Sequence, residues 1–407
     1  MTSSVVAFRS PRWITAKSTA HARERSVRRR VTIAWALLVL DTLGYTGALV
    51  HIPSAFGKII TQGALPVAIV VALTVNRKLV IRPSVFLTLV ALLVIEAVVT
   101  SLQPQHVGTL YRTFRFAEFL VALWLLTPWW GRRDLLLVRA HLGAMAVVLG
   151  SVLLGALVAP GRALTGGRLA GVLWYIPPTQ VAHYAAVTLG LVAVLWLCGR
   201  IRGRPTLIVV AVTGVVLILT HTRTALVGLV AGMLVAGLSL IVSRSRVRKF
   251  FGAASIAASV AIITLSGFIT TWLSRGEGTQ QLTSLTGRTL VWGPLLALPR
   301  DRFQEIFGFG LSNDSFNGLP IDSNWLASYQ SQGLIGIVLC AMILLFLLVT
   351  AYFQPRGVQR ALALFLVAYC LIASFTEVGF TNPSPYLLEL ALAASLLVPS
   401  AATRRIP

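Results

Sequence analysis

Apolar runs of bilayer-crossing length recur along this chain, separated by short polar or basic stretches. Twelve spans are predicted: 31–50, 59–76, 84–101, 114–130, 136–159, 179–198, 205–221, 223–243, 249–270, 333–353, 358–376 and 384–399. Runs of about 18–22 apolar residues match a helix crossing a hydrocarbon core. The runs lack the alternation of barrel strands, and a bilayer offers backbone groups no partner outside a helix or a closed barrel. The fold class expected is therefore an all-α polytopic membrane protein. A basic segment 1–30 precedes helices one to nine (31–270). A large loop (271–332), three further helices (333–399) and a short tail (400–407) follow. The loop holds Trp292, Phe303, Phe307, Phe309, Phe316 and Trp325, so short helices and turns are expected in it rather than disorder.

Composition agrees with this reading. Of 407 residues, 56% are hydrophobic and 12% charged, and the mean hydropathy is +0.82. Soluble domains carry about twice that share of charge. The net charge of +23 raises the question of nucleic acid. Its distribution excludes that partner, because the cations sit in clusters between apolar runs, as topology signals do. With both termini placed in the cytoplasm, 25 of the 35 Lys and Arg residues fall in inner segments and ten in outer ones. An even number of spans satisfies this bias. The large loop and the Gly- and Pro-rich segment 160–178 then face outward. No cleavable leader is expected in the polar, basic residues 1–30. Cys198, Cys340 and Cys370 lie in apolar runs without metal-ligand spacing.

Candidate chemistry gathers on the outer side. Arg168 lies in Gly-Gly-Arg-Leu-Ala-Gly, Arg223 opens the eighth span, and Arg288 lies in the large loop. A guanidinium fork matches phosphate oxygens and keeps its charge. Arg223 would also sit at a helix N-terminus, which favours anions. The plainer reading is that each arginine snorkels to headgroups. Asp322 could accept a proton from an attacking hydroxyl or simply cap a helix starting at Ser323 or Asn324. Asp41, Glu96 and Glu118 are intramembrane acids, either functional or paired with Arg112, Arg115 or Arg223. His183 could assist acid–base work or be a packed core residue. There is no Gly-x-Ser-x-Gly elbow, zinc helix or Walker loop.

Four motifs in order resemble the bacterial O-antigen ligase and O-antigen polymerase superfamily. Gly167-Arg168-Leu169-Ala170-Gly171 followed by Pro177-Pro178-Thr179 is similar to the family's Arg-x-x-Gly segment before a helix start, with Pro-Thr where Pro-Asn is usual. Thr222-Arg223-Thr224-Ala225 resembles a Ser-Arg-x-Ala helix start. Gly287-Arg288 through Trp292, then Phe307-Gly308-Phe309-Gly310, resembles the large periplasmic loop. Asp322-Ser323, nine residues, and Gly333-Leu334-Ile335-Gly336 fit the spacing of the ligase signature, with Asp where ligases carry His. The resemblance implies an inverting glycosyltransferase of the bacterial cytoplasmic membrane with its active site on the outer face. It would move a glycan from a polyprenyl diphosphate carrier to the hydroxyl of a glycan or glycolipid acceptor, without a metal or cofactor. Arg168, Arg223 and Arg288 would hold the diphosphate, and Asp322 would activate the acceptor. Glu96, Glu118, His183, Asn324 and Trp292 would line the glycan or acceptor path. A secondary transporter and a non-catalytic envelope component remain the alternatives.

Overall fold

Each predicted apolar run overlaps one helix in the computed structural model, which describes residues 12–44, 47–49, 53–102, 107–265, 267, 271–272, 288–312 and 314–399. In chain order the helices begin with α1 (Arg12–Asp41), α2 (Ser54–Val75), α3 (Val85–Ser101), α4 (Val107–Leu126) and α5 (Leu136–Val158). A short α6 (Pro160–Ala163) precedes α7 (Pro178–Leu197), α8 (Gly203–Leu219), α9 (Arg223–Leu240) and α10 (Ser245–Thr264). In the large loop lie α11 (Thr289–Ala297), α12 (Arg302–Phe307) and a small hairpin, β1 (Ser315–Phe316) with β2 (Leu319–Pro320). The chain closes with α13 (Asn324–Phe353), α14 (Val358–Ala373) and α15 (Pro385–Leu397).

Among the described residues, six helices are long and apolar enough to cross a membrane: α2, α5, α7, α9, α10 and α13. The shorter α3, α8, α14 and α15 are also apolar. Large side chains such as Leu157, Ile263 and Phe353 stand exposed on the outer faces of the bundle, as a lipid-facing surface requires. The chain is thus an all-α membrane protein.

The largest differences from the sequence reading fall on two helices. The first helix starts at Arg12 and ends at Asp41, not at 31 and 50. Its basic first half is rich in good helix formers, and Arg28 pairs with Glu24 one turn away at 2.8 Å. The helix containing the tenth span starts at Asn324, and a break at Gly333 (φ 59°, ψ −154°) divides it where that span was placed.

Hydrogen bonds sort the connections into two ends. At one end Asn76 bonds the Leu125 carbonyl, Arg82 the Trp130 carbonyl, Gly131 the Ser395 carbonyl, and Arg246 the Trp196 carbonyl. At the other, Leu49 bonds Val172, Leu169 bonds Leu219, Arg112 bonds Ser312, and Asn324 bonds Ser374. This second, loop-bearing end carries all the segments read as outer that are described.

Aromatic side chains fitted into glycine notches hold the middle of the bundle. Phe365 of α14 fills the space where Gly190 of α7 and Gly232 of α9 lack side chains, and Tyr369 lies against Gly228. A Cβ at Gly190 would stand 1.9 Å from the Phe365 ring. Small residues permit such close helix approach where lipid supplies no hydrophobic drive for association.

Candidate functional site

The segment between α5 and α7 folds back over the α8–α9 turn. Gly166 and Gly167 take left-handed conformations (φ 64° and 72°), which turn the chain so that Leu169 bonds the Leu219 carbonyl at 2.9 Å. Arg168 is thereby laid across the turn. Its Nε donates to the Thr220 carbonyl at 3.0 Å and its Nη2 to Thr222 Oγ1 at 3.2 Å. Thr222 is the N-cap residue of α9, yet its hydroxyl makes no capping bond and serves Arg168 and the Thr220 carbonyl instead. Arg223 follows as the first residue of α9, in the positive field of the helix terminus.

The α14–α15 connection packs against that terminus. Thr224 Oγ1 and Thr376 Oγ1 lie 2.7 Å apart, and the Thr376 carbonyl accepts from Arg288 Nη2 at 3.3 Å. Arg288 Nε lies 3.6 Å from Asp322 Oδ2, an ion pair in which the Asp322 side chain is 42% exposed. Asp322 is in the left-handed region (φ 46°), which Asp tolerates better than most residues. Trp292 fixes the preceding residue, its indole N–H donating to the Ile321 carbonyl at 2.7 Å.

Beside Thr376 stands Glu377, a carboxylate given no role in the sequence reading. Burial raises its carboxyl to about 7, with Asp322 acting in the same direction and Arg288 and Arg168 opposing. Arg168, Arg288, Asp322 and Glu377 therefore share one electrostatic neighbourhood, and Arg223 belongs to the helical turn that joins it. The folded protein holds the Glu377 proton more tightly than the unfolded chain, so stability falls as pH rises through the interval from the ordinary Glu range to about 7. Thermal melting should show a loss on the order of 2 kcal/mol over that interval. Glu377→Gln should flatten the profile; an unchanged slope would contradict the assignment.

Other predicted site residues take different places. Asn324 is fully buried, and its Oδ1 accepts from the Gly379 and Phe380 amides at 3.2 and 2.8 Å, so it anchors a loop and cannot line an open path. His183 is also buried. Its Nε2 lies 2.8 Å from Glu389 Oε1, and its Nδ1 is 3.1 Å from the Tyr369 hydroxyl. His141 approaches the same Glu389 oxygen at 3.9 Å and accepts from the Trp35 indole. This core cluster ties α1, α5, α7, α14 and α15 together and removes His183 from any substrate path. Glu96 is buried against Gln332, whose Nε2 donates to the Leu93 carbonyl at 2.8 Å. Glu118 is half-buried, beside Arg115 on α4. Asp41 forms an ion pair with Arg115, which is the packing role weighed for it. Gly287 and the first part of the large loop lie outside the described residues.

The glycine motifs serve as joints. Gly308 (φ 78°) and Gly333 press backbone on backbone: a Cβ at Gly308 would stand 2.5 Å from the Gln332 nitrogen. Phe309 and Gly310 bond the Gln330 and Ser331 carbonyls at 2.9 Å each. The Phe-Gly-Phe-Gly run thus docks α12 on the break in α13 and sets the loop that carries Asp322.

No protein-family model matches this chain, and no curated protein matches it. The functional reading rests on the residues themselves.

Proposed function

We propose that this protein is a membrane glycosyltransferase that moves a glycan from a polyprenyl diphosphate carrier to an acceptor hydroxyl at the loop-bearing end of the bundle. The observation that carries the reading is the convergence of Arg168, Arg288, Asp322 and Glu377, from segments far apart in sequence, beside the N-terminus of α9. In this scheme Arg168, Arg223 and Arg288 grip the diphosphate and stabilise the charge that develops as it leaves. The acceptor oxygen attacks the anomeric carbon from the face opposite the leaving group. The C–O bond to the diphosphate breaks with inversion, and the acceptor proton passes to a carboxylate. Asp322 is the base in the reading from sequence. Glu377, held near neutrality, is the second carboxylate able to accept or relay that proton at physiological pH.

The arginine grip needs no metal. The proposed setting is the bacterial cytoplasmic membrane, with twelve spans, both termini inside and the site facing out, where envelope polysaccharides are polymerised or ligated. A secondary transporter is the second reading, favoured by the break in α13 beside the buried Glu96.

Proteoliposomes containing the full chain, a polyprenyl diphosphate glycan and a glycan or glycolipid acceptor decide between them. A lengthened or newly attached glycan that still forms in EDTA is the expected result. Absence of product together with gradient-driven solute flux would replace the transferase with the transporter.

A further inference from the structure

A cavity of about 350 Å³ lies at the same end between α2 and α4. Its walls include Lys58 from α2, Arg112 and Arg115 from α4, Asp41, Asp314 and Asn382. The two carboxylates are already engaged. Asp41 pairs with Arg115, and Asp314 Oδ2 accepts from Asn382 Nδ2 at 2.8 Å. Burial also raises the Asp314 carboxyl to about 6, against the pull of Arg112. Lys58 and Arg112 remain as exposed cations facing the cavity. Arg112 is fixed in place, because its Nη1 donates to the Ser312 carbonyl at 2.7 Å. The positive-inside bias works against cations on the outer side, so the two not committed to Asp41 call for a ligand in the proposed orientation.

The surfaces flanking these cations are apolar. Phe56 and Ile59 on either side of Lys58 are each 63% exposed, and Phe114 near Arg112 is 60% exposed. A soluble anion would use the cations alone. An amphiphile would use both the cations and the apolar faces.

We propose that this cavity binds the phosphate of a chain-bearing amphiphile, with Lys58 and Arg112 holding the phosphate and the chain lying along the exposed faces of α2 and α4. The site is separate from the arginine cluster at Arg168 and Arg288 and does not depend on the transferase reading. Its walls continue into the loops that carry that cluster. The Asp314 backbone carbonyl accepts from the Ile321 amide at 3.0 Å, one residue before Asp322, and Asn382 lies in the α14–α15 connection that holds Glu377.

The test places the full chain in phosphatidylcholine nanodiscs and measures binding of two fluorescent probes, phosphatidylglycerol and a polyprenyl phosphate. Saturable binding of at least one probe is expected. Tighter polyprenyl phosphate would indicate a substrate-type ligand, and equal affinity a membrane phospholipid; both support the site. Lys58→Gln combined with Arg112→Gln should weaken binding at least about tenfold, about 1.4 kcal/mol. Lys58→Gln alone should weaken it less, Lys58→Arg should restore it, and Lys78→Gln, an exposed cation in the α2–α3 connection, should leave it unchanged. Undiminished binding in a well-folded double variant, an equal loss in Lys78→Gln, or glycerol phosphate competing as well as the lipids would each overturn the proposal.

Discussion

Arg223→Ala and Asp322→Asn should each slow glycan formation by at least about 100-fold in proteoliposomes, the cost of removing one group aimed at developing charge. Arg223 adds a positive charge at a helix start whose cap hydroxyl is committed to Arg168, so in the proposed scheme the helix terminus and the guanidinium would act on the same anion. Alanine leaves the terminus and removes the fork. Asn at 322 keeps the size of the side chain and tolerates the left-handed backbone, so the loop should hold its shape while the charge that faces Arg288 disappears. The comparison that matters is kcat against donor KM. Loss of a diphosphate grip made mainly in the transition state lowers kcat and kcat/KM together. If both variants are monodisperse, melt like the wild type and turn over at the wild-type rate, the catalytic assignment fails.

Gly333→Ala should destabilise the protein by at least about 3 kcal/mol, from backbone strain together with overpacking. The backbone there (φ 59°, ψ −154°) lies in a region that is nearly exclusive to glycine. An added Cβ would meet the Ile306 carbonyl oxygen at 2.4 Å and the Glu305 oxygen at 2.7 Å, and backbone atoms cannot rotate away as a side chain end can. Relief would require α12 to lift from α13, which moves the loop that carries Asp322. Gly214→Ala on α8 is the control, since nothing lies within 4 Å of its added Cβ. Melting temperature and the yield of monodisperse protein should fall sharply for the first variant and stay level for the second.

The helices were legible because each run's length and apolarity leave the backbone few choices in a bilayer. Their ends were less so. Asp41 ends α1 before Gly44 and Gly47, although the apolar pattern continues beyond it. Arg168, Arg288 and Asp322 could be singled out because charge is rare in this chain. Glu377 could not, because its importance comes from a tertiary fact: the α14–α15 turn lands on α9 through Thr376 and Thr224. The resemblance puts Asn324 and Trp292 on the glycan or acceptor path. In the structure their polar groups hold the backbone that presents Asp322. Glu389 carries a sequence signal of its own, since an acid inside an apolar run is costly unless partnered. Its partners, His183 and His141, come from helices that sequence spacing does not connect.

Phe365 and Tyr369 have a consequence for the site. Their rings sit in the gaps left by Gly190, Gly228 and Gly232, so α9 is indexed against α14 like a shaft keyed to its wheel. Sliding α9 by one turn would shift Arg223 by about 5.4 Å. A misplacement of about 1 Å is enough to cost a reaction a large part of its rate. In the proposed function, the height at which Arg223 would meet a diphosphate is therefore fixed by side chains of α14 that would not touch the substrate.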